Sequence, residues 1–182
     1  MTAALRLSTL LLATVMAAQT ALHIDPARTK VEYSVGSTLH TVHGTFQLKR
    51  GDITFDTATG SASGELIVDA KSGESGSAGR DRRMHDSILE SNRYPDIVFR
   101  PDRVEGKVDP TGHSEVKLHG IFSIHGAEHE MTVPVSVDAS GGEYKAAAKF
   151  IVPYIQWGMK NPSTFILRVN DKVEIILQTV AR

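Results

Sequence analysis

The sequence predicts an all-β protein, a sandwich or barrel with one short helix inserted, on three observations. Runs of alternating apolar and polar residues recur at roughly ten-residue intervals from residue 22 onward, separated by turn residues. One stretch, GRDRRMHDSILESNRYPDIVF over 79–99, abandons that alternation. The chain has no cysteine, so its stability must come from burial and a complete backbone ladder, with no disulfide contributing.

The first twenty residues stand apart. Arg6 precedes an apolar run from Leu7 to Ala18 that ends in small residues, the layout of a secretory signal peptide. Spanning a bilayer core takes about 20 residues, so the run reads as a cleaved leader rather than an uncleaved anchor. The expected organisation is a signal peptide over 1–21, cut between Ala17 and Ala21, and one folded domain over 22–182. The mature protein is then periplasmic or secreted. A lipoprotein anchor is excluded because no cysteine is present to carry it. A net charge of -1 without a basic stripe gives no basis for binding nucleic acid.

The strands follow in order. KVEYSV (30–35) places Val31, Tyr33 and Val35 on one face, and GTFQLKRGDITFD (44–56) reads as two strands around Lys49–Asp52. SASGELIVDA (61–70), SEVKLHGIFSI (114–124), HEMTVPVSVDA (129–139), EYKAAAKFIVPY (143–154) and KVEIILQTV (172–180) complete a set of eight or nine. His125-Gly126-Ala127 turns a long hairpin. Between the strands, the spacing predicts a helix over about residues 80–91, with Met84 and Ile88 four apart on one face and Pro95 ending the segment. Such a helix plugs the open end of a barrel or covers a sheet edge.

The ordered set of blocks RDRRMHDSILESNRYPDIVF, VKLHGIFSIHGAEHEMTVPVSV and WGMKNPSTF, with GTFQLKRGDITFD before them and VEIILQTV after, resembles the YceI-like family over residues 22–181. The sequence departs from the many relatives that carry a His-Ser pair after the opening Ile-Asp; Arg28 and Thr29 stand in that neighbourhood here. The resemblance implies a lipocalin-like eight-stranded antiparallel β-barrel that binds a polyisoprenoid lipid, an isoprenoid quinone or polyprenyl compound, with no catalytic residues and no cofactor besides the lipid itself. It implies a helix that caps or lines the cavity through Met84 and Ile88. Alternation then makes Phe46, Phe55, Phe99 and Phe122 lining residues, and likewise Val135, Phe150 and Ile175. Trp157, the only tryptophan, either joins them at a gating rim or plugs a closed barrel end. The expected partners are the isoprenoid ligand, a transient membrane contact and a second copy in a homodimer.

Rival chemistries rest on less. His40, His43, His119, His125 and His129 raise a histidine-ligated metal site, against which the Gly126 turn separates the last three. Any of the five is also a candidate for contacting a lipid head group. Arg80, Asp81 and His85 read as a helix start with Asp81 paired to a nearby arginine rather than as acid–base machinery. No G-x-S-x-G elbow is present, so hydrolase chemistry has no motif. A stress-linked scaffold with a filled, dry core is the remaining class.

Overall fold

A computed structural model of the chain describes residues 19–182. Nine antiparallel strands form one sheet: β1 (Gln19–Ile24), β2 (Lys30–Gly36), β3 (Thr41–Asp56), β4 (Ala62–Glu74), β5 (Asp96–Glu105), β6 (His113–Ile124), β7 (Ala127–Ser140), β8 (Glu143–Val152) and β9 (Val173–Ala181). β2 to β9 close into an eight-stranded barrel through the β2–β9 and β3–β4 pairings. Closure removes the sheet edges that an open sheet would present. β1 lies beside this circuit, paired along the second half of β3. It is described from Gln19, so residues 19–21 of the expected leader lie in this strand, and the rest of that leader falls outside the described residues.

The stretch expected to turn at Lys49–Asp52 does not turn. β3 runs unbroken through sixteen residues, with register irregularities against β4 between Thr45 and Gln47 and between Leu48 and Arg50. The second irregularity reconciles two inward sets of opposite parity. Phe46 and Leu48 face the interior before it and Ile53 and Phe55 after it, because an extra residue flips the alternation. Gly51 sits just beyond, and a Cβ there would meet the Ile24 side chain at 3.1 Å. β1 and β5 are strands beyond the set that alternation predicts. Pro101, Arg100, Asp102 and Arg103 hide β5 from an alternation test, and a bulge between Pro101 and Arg103 accommodates them.

The inserted helix also differs from its expected limits. α1 (Ala78–Arg83) passes directly into a π-helical turn, Met84–Ile88, closed by the Leu89 N–H on the Met84 carbonyl at 2.8 Å. The helix stops before Pro95 acts: Glu90 adopts φ 47°, and the Ser91 N–H folds back to the His85 carbonyl at 3.0 Å. His85 fastens this turn to β4. Its Nε2 donates to the Gly73 carbonyl at 2.8 Å, while Nδ1 meets the Ser91 hydroxyl at 3.0 Å.

Strand direction sorts the connections into two ends. At one end lie the turns 57–61 and 141–142, the loop 106–112 and the Pro26–Arg28 turn. At the other lie the β2–β3 hairpin, the helical segment 75–95, the His125–Gly126 turn and the long segment 153–172. His125 and Gly126 have φ of 53° and 76°, the two positive values of a two-residue primed hairpin turn.

Candidate functional site

A cavity of about 620 Å³ runs through the barrel, a size ordinarily occupied by a small ligand. Residues opposite each other on antiparallel neighbours project to the same side, so the register dictates what lines it. One belt runs Phe46–Val31–Leu177–Ala148–Val135–Val116 across six strands. A second joins Leu66, Phe99 and Phe122, and a third Tyr33, Ile175 and Phe150. The wall is therefore apolar from one end of the barrel to the other. With strands of about ten residues rising ~3.3 Å each and tilted about 40°, it is roughly 25 Å long.

Phe46, Phe55, Met84, Ile88, Phe99, Phe122, Val135, Phe150 and Ile175 all border this cavity. Met84 and Ile88 do so from the helix. Gly73 makes room for Met84 and Phe46: a Cβ there would lie 2.4 Å from the Phe46 ring and 2.7 Å from the Met84 methyl.

Trp157 is the correction. It does not reach the cavity but packs one layer behind it, stacked on His129 with ring centroids 3.9 Å apart and 5.8 Å from Phe122. With the buried Leu89, Ile124, Tyr154 and Met159 it fills the helical end of the barrel on the β6–β7 side. Burial holds the His129 imidazole below its ordinary pKa, and its Nε2 is buried without a hydrogen-bond partner. Tyr154 anchors the plug from the other direction, donating to the Asn170 carbonyl at 2.8 Å. Burial pushes its phenol up to about 12.

The other side of the same end is the mouth. Ser37, His40 and Val42 line it from the hairpin, Gly79, Arg80 and Arg83 from α1, and Pro162, Leu167 and Val169 from the long segment. His40, Gly79, Arg80 and Arg83 are exposed. Sequence reasoning did not place the arginines here, although a signal existed: Arg80 precedes Met84 by four and Ile88 by eight, one helical stripe. Arg80 does not ion-pair with Asp81. Its Nε and Nη2 donate to the Ser75 hydroxyl and carbonyl at 2.7 and 2.8 Å, and the Ser75 hydroxyl in turn donates to Asp81.

The remaining histidines are scattered. His119 sits on the outer wall between Asp102 and Glu130, at 2.7 and 2.9 Å, and the Asp102 hydrogen bond, with that of Glu130, raises its pKa. His125 pairs with Glu90 at 2.7 Å and lies edge-on to Tyr94, tying the helix end to the β6–β7 turn. His43 is exposed on β3. Among the described residues no three metal-ligating side chains converge.

A closed antiparallel barrel around one apolar cavity, capped by a helix beside an open mouth, is a lipocalin-like architecture. The YceI-like domain model matches residues 22–181, and the chain belongs to that family. Solved structures share the fold, three of them as follows. The Burkholderia cenocepacia BcnA crystal structure is similar with a TM-score of 0.72 at 19% identity, over 87% of this chain and 99% of its own. A polyisoprenoid binding domain from Saccharophagus degradans, implicated in plant cell wall breakdown, gives 0.69 at 12% identity, over 88% and 97%. The Campylobacter jejuni YCEI protein gives 0.56 at 14% identity, over 97% and 90%. No curated protein matches by sequence.

Proposed function

We propose that this chain is an exported, non-catalytic carrier or reservoir for one long isoprenoid lipid, a quinone or polyprenyl compound, held tail-first in the barrel. The observation that carries the reading is the enclosed apolar cavity of about 620 Å³ opening at one end beside a helix. An aliphatic and aromatic wall binds without reacting. A cavity of that size also disfavours a filled-core scaffold. The polyisoprenoid-binding description of a protein with the same fold supports the choice of lipid class.

The energetics favour carrying over hoarding. Each five-carbon unit removed from water is worth roughly 3–4 kcal/mol, at about 0.8 kcal/mol per buried carbon group. That tail, however, rests in a membrane rather than in water. Its transfer from bilayer to barrel is nearly neutral, and exchange in both directions stays accessible.

The test is native mass spectrometry of the mature protein taken from its native membrane context, coupled to solvent extraction. One apolar adduct per barrel supports the carrier reading and names the lipid. A bare polypeptide mass that stays bare after incubation with quinone and with polyprenyl phosphate refutes it.

A further inference from the structure

We propose that the mouth of the barrel is a docking surface for an anionic lipid bilayer, with Leu39, Phe165 and Ile166 as the inserted tips. This rests on the carrier reading and assigns the face through which the lipid passes. Large apolar side chains that stand free in water are few among the described residues: Leu39 is 73% exposed, Ile166 85% and Phe165 101%. The fourth, Ile151, is 47% exposed on the barrel wall.

The three tips belong together. Leu39 occupies the β2–β3 hairpin, and Phe165–Ile166 occupy a tight turn closed by the Thr164 N–H on the Leu167 carbonyl at 2.8 Å. The hairpin and this turn are stitched side by side. Thr38 N–H donates to the Arg168 carbonyl and Asn170 N–H to the Gly36 carbonyl, each at 2.9 Å, and Ser37 bridges Val169. The residues between the tips, Ser37, His40 and Leu167, line the cavity mouth itself. An apolar group inserted at these tips therefore brings the opening against the membrane surface.

Charge selects the occupant. Segments 37–42, 78–83 and 160–170, which frame the mouth, carry Arg80, Arg82, Arg83, Lys160 and Arg168 against the single acid Asp81, on a chain whose net charge is -1. Asp81 is engaged by the Ser75 hydroxyl. Among the described residues, the side chains of Arg82, Arg83, Lys160 and Arg168 take part in no ion pair or hydrogen bond. Apolar tips ringed by basic side chains match an anionic membrane interface. The same ring repels a second copy of itself.

The absence of cysteine allows a clean test with a polarity-sensitive fluorophore on single cysteines in the mature protein: L39C and I166C at the mouth, I151C on the wall. All three sites are exposed, and circular dichroism checks that each variant folds. Vesicles of phosphatidylcholine and phosphatidylglycerol in equal parts should blue-shift and brighten the mouth probes and leave the wall probe unchanged. Pure phosphatidylcholine should do much less. R82E or R168E should each weaken the response about fivefold or more, as expected for loss of one basic contact. Silent mouth probes with anionic vesicles, or a response at Ile151 equal to that at the tips, overturn the proposal. So does a shift that grows with protein concentration in the absence of vesicles, which would assign the face to a second copy. Lipid retention by native mass spectrometry is read on the same samples, so a failure of docking is distinguishable from a failure of the carrier reading.

Discussion

Trp157 lies flat on His129, their ring planes 5° from parallel and their centroids 3.9 Å apart, and the contact closes one side of the barrel's helical end. Truncating the indole in W157A should destabilise the fold by roughly 3 kcal/mol, the low end for a core aromatic because the ring is only partly covered. Chemical denaturation measures it, and a loss under about 0.5 kcal/mol would show that the stack is incidental.

The buried imidazole in that stack also carries a pH signature. Its folded pKa lies below the ordinary value because burial disfavours the charged form. The unfolded chain therefore binds the proton first, and the contribution of the stack is present above about pH 6.5 and lost as pH falls below it. H129F should abolish this component of the acid decline in melting temperature. His119 runs the opposite way, since its raised pKa makes its ion pairs strongest below about pH 6.5. D102N should lower the His119 titration midpoint in an NMR titration.

Glu143, at the start of β8, ties the Pro26–Arg28 turn to the C-terminal Arg182. It accepts from Arg28 at 2.7 Å and from Arg182 at 2.6 Å, and these two guanidiniums hold its carboxyl down at about 2. A depressed carboxyl stabilises above its unfolded pKa, and the contribution is lost as pH falls from about 4.5 toward 2. E143Q should flatten the stability profile across that window. An unchanged acid slope in the variant would show that the cluster is too well solvated to matter.

Gly120 faces a backbone rather than a cavity. A Cβ at this position would lie 2.2 Å from the Arg100 carbonyl oxygen and 2.7 Å from the Pro101 Cα, beside the β5 bulge. G120A should cost about 1–3 kcal/mol, as overpacking against a rigid chain does, and calorimetry should show it as a lowered melting temperature.

Met84 tests the cap. M84D places a carboxylate at the cavity wall next to Phe46 and should strip retained lipid from a folded barrel. Full lipid occupancy in that variant would remove the helix from the binding account.

The sequence by itself determined the class of the fold, the hairpin at His125–Gly126 and the inward set on most strands. A period of two residues is a local property of a strand half buried in an apolar interior. The stripe Arg80–Met84–Ile88 was equally present in the spacing. What the tertiary structure decided depends on partners far apart in the chain. The bulge in β3 shows only in its register against β4, where Leu48 and Arg50 pair with the adjacent Val68 and Ile67, and alternation cannot reveal an inserted residue that a neighbouring strand absorbs. β5 became a strand through its register with β4 and β6 despite its charges and Pro101. Trp157 is a plug and not a lining residue because segment 153–159 folds onto β7, a contact between residues nearly thirty apart. The mouth likewise emerged only when the hairpin, α1 and residues 160–170 met, since exposure is a property of the assembled surface and no window of sequence contains it.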